Sequence, residues 1–176
     1  MSDLSHFRKA KDEFLAKDHH SPLTPQQRGS FGGLDYYPEN CDLRYVLKIE
    51  EFPDRDKKET EIVTSTGESR SQVGWGSLSF SVDGETVSLT VYRGADGGEF
   101  FLPFGDTTNG KETYGAGRYL EVVPVDGGLH VLDFNYAYNP YCAYNPHWSC
   151  PIPPAENRLK VPLLAGERSF LGAEEH

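Results

Sequence analysis

Arg118 ends a glycine-rich segment, residues 103–118, whose composition suits the binding of an anion. Glycines let backbone N–H groups approach a ligand closely, and a guanidinium offers a planar fork of donors that matches a carboxylate or a phosphate. The same segment carries Asp106 and Tyr114. In the alternative interpretation the segment is a hairpin, in which Asp106 and Thr108 cap the turn and Arg118 pairs with a carboxylate across the sheet.

A second polar segment, residues 133–157, contains the triplet Tyr-Asn-Pro twice, at 138–140 and 144–146. Asn-Pro pairs make rigid turns, and tyrosines pack their rings while they present hydroxyl groups. One interpretation is a stiff corner of a β fold, because buried amides usually satisfy backbone groups. The other is a polar rim around the mouth of a pocket, since loops on a rigid sheet commonly carry function. Four residues would form that rim: Asp133, Asn135, Asn139 and Asn145.

Cys142, His147 and Cys150 place three potential metal ligands within a short stretch. Zinc binds such side chains tetrahedrally, but this spacing matches neither paired C-x2-C motifs nor a standard zinc knuckle. Buried, inert thiols are therefore the expectation, with a Cys142–Cys150 redox pair as the alternative. Together with Cys41 the cysteines are too few and too odd in number for a secreted disulfide scaffold.

Common catalytic signatures are missing from the chain. It has no P-loop, no HExxH motif and no GxSxG nucleophile elbow. If the protein is an enzyme, Asp106 or Asp133 is the expected proton carrier, provided that its surroundings tune its acidity. Glu156 and Glu167 are further candidate acids or bases, unless they are solvated or paired with an arginine.

The first 40 residues predict a helix followed by a wrapping arm. Apolar residues recur at helical spacing with charged residues between them: Leu4, Phe7, Phe14 and Leu15. Ser2, Asp3 or Ser5 would cap this helix. Thr24 before Pro25 predicts the start of a second, short helical turn. The Pro- and Gly-rich remainder carries too many aromatic residues for a free linker, so we expect it to be ordered on the core.

Residues 41–138 predict an antiparallel β core. Short segments rich in β-branched and aromatic residues alternate with turn residues, and Asp83-Gly84 is a strong hairpin signal. No helix of crossover length separates these segments, which excludes parallel βαβ units. The expected fold is therefore mainly β, an antiparallel barrel, roll or sandwich of about seven to nine short strands. Residues 139–176 predict a long Pro/Asn/Cys-rich loop with a last strand within 159–167, where Pro162 indicates an edge or a bulge.

Length and charge exclude several classes of protein. A chain of 176 residues predicts a single domain, 1–176, large enough to bury a hydrophobic core. Seventeen Lys and Arg against 27 Asp and Glu give a net charge of −10, which argues against a nucleic-acid partner. No stretch reaches the roughly 18–20 apolar residues of a membrane helix, and the first residues lack the apolar core of a signal peptide. We expect an acidic, soluble, cytoplasmic protein.

Two long motifs give the chain a family resemblance. The run PFGDTTNGKETYGAGRYLEV and the run LDFNYAYNPYCAYNPHWSCPIPPAENRLKVPLLAGE resemble the bacterial and archaeal family of domain of unknown function 1684. The segment SPLTPQQRGSFGGLDYYPEN is also similar to that family. The resemblance implies a small domain and supplies no activity, cofactor or catalytic residue.

The leading hypothesis is a polar pocket formed where segments 103–118 and 133–157 meet at one end of the sheet. It would hold a small polar or anionic ligand, with these binding residues: Arg118, Tyr114, Asn135, Asn139, Asn145 and Asn157. Asp106 and Asp133 are the candidate catalytic residues. One alternative is a thiol or metal site at Cys142, His147 and Cys150. The other is a non-catalytic module that presents aromatic residues to a protein partner: Tyr138, Tyr141, Tyr144 and Trp148.

Overall fold

The computed structural model describes residues 2–172, and two short helices precede its sheets. Helix α1 spans Asp3–Lys17, and the Ser2 side chain caps it by accepting from the Ser5 N–H. Helix α2 spans Pro25–Ser30, and Thr24 and Gln27 form a capping box at its start. The predicted starts of both helices are confirmed.

Within residues 2–172, nine strands form two antiparallel sheets, which confirms the predicted mainly β fold. The strands are β1 Arg44–Leu47, β2 Glu50–Glu51, β3 Glu59–Val63, β4 Ser69–Val82, β5 Glu85–Gly94, β6 Gly97–Phe104, β7 Arg118–Leu120, β8 Val123–Val125 and β9 Leu129–Asp133. The large sheet has the order β2-β4-β5-β6-β7, with β3 paired to β4, and the small sheet has the order β1-β9-β8. Within residues 2–172 the strands do not close into a barrel, and the arrangement is that of a roll or sandwich.

The predicted hairpin at Asp83-Gly84 joins β4 to β5, where Val82 faces Glu85. Both turn residues have positive φ, 49° for Asp83 and 85° for Gly84, as a two-residue hairpin turn requires. The three-residue turn at 126–128, in which Gly127 and Gly128 have positive φ, joins β8 to β9, where Val125 faces Leu129. Turn chemistry therefore fixes the register of both hairpins.

Two predicted strands differ from the structure. The segment GRYLEVVPV, residues 117–125, alternates like one continuous strand, but it is split, because β7 pairs with β6 in the large sheet whereas β8 pairs with β9 in the small one. Residues 159–167 form no strand, and only single bridges flank them, at Arg158 and Glu167. Proline at 162 cannot donate to a ladder, and carbonyl groups of this segment accept from the Arg118 side chain instead.

The main core lies where the two sheets meet. Its fully buried members include Leu78, Leu89, Leu102, Leu132 and Phe134, which come from both sheets and the turn after β9. Burial of each such side chain contributes about 1.5–3 kcal/mol to the free energy of folding, which stabilises the fold.

The arm after α2 is ordered against the C-terminal segment. The Tyr37 N–H donates to the Gly166 carbonyl at 3.0 Å, and the Arg168 N–H donates to the Asp35 carbonyl at 2.9 Å. Neither α1 nor α2, nor any other helix among residues 2–172, has the length and apolar character that a membrane crossing needs.

Candidate functional site

Arg118 lies inside the molecule rather than on a pocket wall. Its side chain is fully buried and donates to Asp106 Oδ2 at 2.8 Å. The remaining hydrogen bonds of the guanidinium go to the backbone carbonyls of Leu163, Ala165 and Glu167. Burial lowers the pKa of Arg118, and the Asp106 carboxylate opposes that shift. The predicted anion anchor is therefore placed differently. Its two terminal nitrogens are used by an internal ion pair and by backbone carbonyls, as in the hairpin alternative, whereas its buried Nε has no hydrogen-bond partner among residues 2–172.

Asp106 also holds the glycine-rich turn together. Its Oδ1 accepts from the Thr108 N–H at 2.7 Å and from the Thr108 hydroxyl. Thr108 in turn contacts the Thr113 hydroxyl at 2.8 Å, and Asn109 donates to Thr113. Both carboxylate oxygens are thus occupied, and the carboxylate is buried. In the structure, Asp106 therefore stabilises the conformation of this turn.

The predicted asparagines are buried and bind backbone. Asn135 exchanges two hydrogen bonds with the backbone of Asn40, at 2.8 and 2.9 Å. Asn157 accepts from the Thr90 N–H and donates to the carbonyls of Thr90 and Pro103, each at 2.8 Å. Such bonds satisfy backbone groups that no strand ladder reaches. Both amides therefore connect separate segments of the chain.

The two Tyr-Asn-Pro triplets behave similarly. Asn139 donates to the Arg168 carbonyl at 2.9 Å, and Asn145 donates to the Pro22 carbonyl at 3.3 Å. Segments 103–118 and 133–157 do meet, because the Gly105 N–H donates to the Asn157 carbonyl at 2.9 Å and the Asn157 side chain donates to the Pro103 carbonyl at 2.8 Å. Buried side chains fill the region of contact, and a large opening of the molecule lies elsewhere.

That opening is a cleft of about 730 Å³ between α1 and the sheets, here called the α1 cleft. From α1 it is lined by Asp3, Phe7, Ala10, Lys11, Phe14 and Leu15; from the rest of the chain it is lined by Arg44, Leu120, Glu121, Val123, Val131, Asp133, Tyr136, Tyr138 and Tyr141. Leu4 and Leu15 anchor the two ends of α1 by burial. Because Ala10 between them is small, the space between the helix and the small sheet stays unfilled.

Lys11 supplies a polar group to this largely apolar cleft. Its ammonium pairs with the carboxylate of Glu167, which is buried, and lies 5.0 Å from the ring centroid of Tyr138. Glu167 also accepts from the Asn139 N–H at 3.0 Å and from the Tyr144 hydroxyl at 2.5 Å. An ammonium group has three donors, and within residues 2–172 Glu167 is the hydrogen-bond acceptor for one of them. Lys11 thus has donors left for a ligand.

Asp133 is the predicted site residue that lines the α1 cleft. Its Oδ1 accepts from the backbone and side-chain N–H groups of Asn135, at 3.0 and 2.8 Å. Its Oδ2 lies 3.6 Å from Arg44 Nε. The carboxylate therefore caps the turn at 134–136 while it borders the cleft.

Sequence reasoning missed Lys11, although a signal for it exists. Phe7, Lys11 and Phe14 follow each other at intervals of four and three residues, which places them on one face of a helix. A lysine within an apolar stripe indicates either a snorkelling side chain or a specific polar contact. The carboxylate partner, 156 residues away in the sequence, could not be predicted from that spacing.

The proposed metal ligands do not come together. His147 is exposed, whereas Cys142 and Cys150 are buried. Among residues 2–172, the group of three side chains with metal-binding atoms within 4.8 Å of one another is Asp18, His19 and His20. The metal alternative at Cys142, His147 and Cys150 is thus wrong in its geometry, because the histidine points into solvent.

Tyr114 belongs to the thiol cluster rather than to a pocket. Its hydroxyl lies 3.6 Å from Cys142 Sγ, and the Cys142 N–H donates to Cys150 Sγ at 3.3 Å. Burial raises the pKa of Tyr114, with Cys142 as a further cause. The phenol is therefore neutral and can act as a donor.

The aromatic residues of 138–148 do not form one exposed surface. Tyr144 is buried, and its hydroxyl is used by Glu167. Trp148 is 41 % exposed and packs edge-on against Tyr141, with 5.1 Å between the two ring centroids. The continuous aromatic face that the protein-interaction alternative needs is interrupted at Tyr144.

Comparisons with known proteins agree with this architecture. The family model described as "Protein of unknown function (DUF1684)" matches residues 29–168. A solution NMR structure of an uncharacterized protein from Haloarcula marismortui is similar to this chain, with 35% sequence identity and a TM-score of 0.71; the match covers 96% of this chain and 93% of that one. No curated protein matches the chain. Because the family model spans most of the sequence, the chain belongs to the DUF1684 family of proteins of unknown function.

Proposed function

We propose that the protein binds a small amphipathic molecule in the α1 cleft, with Lys11 donating to an oxygen atom of that ligand. The observation that carries this proposal is an apolar cleft of about 730 Å³ that contains a lysine with donors to spare. Its volume lies within the roughly 300–1,000 Å³ typical of small-molecule sites, which are mostly apolar with a few polar groups.

The lining argues for the class of ligand. Phe7, Leu120 and Val131 offer apolar contact, whereas Tyr136 and Tyr138 offer ring faces. A ligand with an apolar or aromatic body fits this lining better than the small polar ligand that the sequence predicted. The hydrophobic contribution of such a body is about 25 cal/mol for each Å² that it removes from water.

The charges around the cleft argue for one acceptor group of low charge. Lys11 and Arg44 are cationic, but three carboxylates share the lining: Asp3, Glu121 and Asp133. A phosphate or another multiply charged anion would meet these carboxylates and be repelled. A carboxylic acid or a neutral carbonyl compound fits this balance of charge.

The geometry favours binding over proton transfer by Asp133. Its Oδ1 is fixed by two N–H groups of Asn135, and Arg44 lies beside its Oδ2. A catalytic base needs a free oxygen directed at the reacting proton. We therefore assign Asp133 to the support of the cleft edge.

Fluorescence titration with anilinonaphthalene sulfonate (ANS) tests the proposal, since this probe joins an apolar aromatic body to one anionic group. We expect saturable binding by the wild-type protein. Lys11→Met should weaken the affinity by about tenfold to a hundredfold, because a hydrogen bond to a charged group contributes about 1.5–3 kcal/mol. Ala10→Phe should abolish binding by filling the cleft.

Lys9→Met is the matched control, because Lys9 is an exposed lysine of the same helix and does not line the cleft. It should bind ANS like the wild type. Circular dichroism should show that all variants keep their secondary structure, since partly unfolded proteins also bind ANS. Equal ANS affinity in the wild type, Lys11→Met and Ala10→Phe would contradict the proposal.

A further inference from the structure

Cys142 and Cys150 form a pair of thiols in mutual contact. A 3₁₀ turn at 141–143 brings the Cys142 N–H to 3.3 Å from Cys150 Sγ, so that the two cysteines lie side by side. Both thiols are free and lie in one buried cluster with Tyr119. The pair lies outside the α1 cleft, so it is independent of the proposed binding function.

The environments of the two thiols are unequal. The Cys142 sulfur accepts from the Tyr114 hydroxyl at 3.6 Å and lies beside the Cys150 thiol. These donors stabilise a negative charge on sulfur, so the pKa of Cys142 is lowered, with Cys150 as the main cause and burial opposing it. The pKa of Cys150 is raised, mainly because it donates to Cys142, and burial adds to this. A thiolate is the nucleophilic form of cysteine, so the environment favours Cys142 as the attacking residue.

We propose that Cys142 and Cys150 are an oxidisable dithiol, in which Cys142 reacts with a hydroperoxide and Cys150 then closes an intramolecular disulfide. In the first step the Cys142 thiolate attacks the outer oxygen of the peroxide. The O–O bond breaks, the leaving oxygen takes a proton as water or alcohol, and Cys142 becomes a sulfenic acid. In the second step Cys150 sulfur attacks Cys142 sulfur, the S–O bond breaks, and the Cys150 proton leaves with the hydroxyl group as water.

The surrounding structure suits this reaction with a small oxidant. Cys142 and Cys150 are 3 % and 8 % exposed, which excludes bulky reagents. The loop between them is at the surface, since His147 and Trp148 are exposed. Because Cys150 Sγ already lies 3.3 Å from the backbone nitrogen of Cys142, we expect closure of the disulfide to need little movement of the backbone.

Mass spectrometry after treatment of the folded protein with hydrogen peroxide tests the proposal. Trypsin releases both thiols in one peptide, residues 119–158, because no Lys or Arg lies between Arg118 and Arg158. We expect this peptide to lose two hydrogens and to resist alkylation. The exposed Cys41 lies in another peptide and is the internal control. The dithiol should be oxidised at least about fivefold faster than Cys41, which lacks an activating partner.

Single variants assign the roles of the two thiols. In Cys150→Ser treated with peroxide while folded and then denatured in the presence of dimedone, the dimedone should trap a sulfenic acid at Cys142, whereas in Cys142→Ser the remaining Cys150 should stay reduced. Tyr114→Phe should slow oxidation of the pair and leave Cys41 unchanged. Oxidation of Cys41 before the pair, or a 119–158 peptide that changes only after the protein unfolds, would overturn the proposal. Trapping at Cys150 rather than Cys142 would overturn it as well.

Discussion

Arg118 stabilises the C-terminal segment by donating to carbonyl groups that a neighbouring strand would otherwise satisfy. The carbonyls of Leu163, Ala165 and Glu167 accept from the guanidinium, and Asp106 compensates its charge. A buried arginine without such partners would be very costly, so the ion pair and the carbonyl contacts depend on each other.

Arg118→Met should lower the free energy of unfolding by about 3–5 kcal/mol, because it leaves the buried Asp106 without its partner. Arg118→Lys keeps the charge but loses the planar fork, so its cost should be smaller. Urea denaturation measures both changes.

The affinity for ANS separates this structural role from the predicted role in ligand binding. Folded Arg118→Lys protein should bind ANS like the wild type, since Arg118 does not line the α1 cleft. If Arg118→Lys kept wild-type stability but lost ANS binding, Arg118 would have to be part of the binding site.

At this scale, residue types predict which polar side chains form buried contacts, but not what those side chains bind. Arg118, Asn135 and Asn157 were predicted to bind a ligand, and each instead makes several buried hydrogen bonds within the protein. Whether such a donor faces a ligand or the backbone depends on which distant carbonyls lack a partner. That information exists only once strands have paired, so the residue types could not supply it.

The segment at 165–167 depends on a close approach between two loops. Gly166 has φ of 77°, and a Cβ at this position would lie 2.6 Å from the Ala137 carbonyl oxygen and 2.8 Å from that of Phe134. Both atoms are backbone and cannot move aside without displacing the turn at 134–136. This approach also brings Glu167 to Lys11.

Gly166→Ala should therefore cost more than the roughly 1–2 kcal/mol of a left-handed backbone conformation alone. Gly127→Ala is the matched control, because Gly127 has the same φ of 77° with no atom within 4 Å of the added Cβ. Thermal and urea denaturation should rank Gly166→Ala as clearly the less stable variant. Equal destabilisation of the two variants would show that the close approach has no energetic role.

At the level of elements, local signals were predictable and long-range choices were not. The caps at Ser2 and Thr24 and the turn at 83–84 depend on neighbours in the sequence, and they are confirmed. The division of 118–125 between two sheets was not predictable, since both halves show the same alternation. The strand expected within 159–167 fails because a side chain, rather than a strand, binds its carbonyls.

The α1 cleft results from the arrangement of the whole molecule. The helix lies against the small sheet and the segment after it. The C-terminal segment places Glu167 in contact with Lys11 of the helix. Composition and periodicity predicted each of these elements separately. They could not predict the unfilled space between them, because that space depends on the angle and distance at which the helix packs.

The central claim is that the α1 cleft is the binding site, and an NMR titration of the folded protein with ANS tests it most directly. Backbone amide shifts report where the probe binds, independently of any substitution. We expect the largest shifts along one face of α1, around Phe7 and Lys11, and on the facing residues Val131 and Tyr138. Shifts concentrated in residues 105–117, or in the thiol cluster around Cys142, with α1 unaffected, would contradict the account.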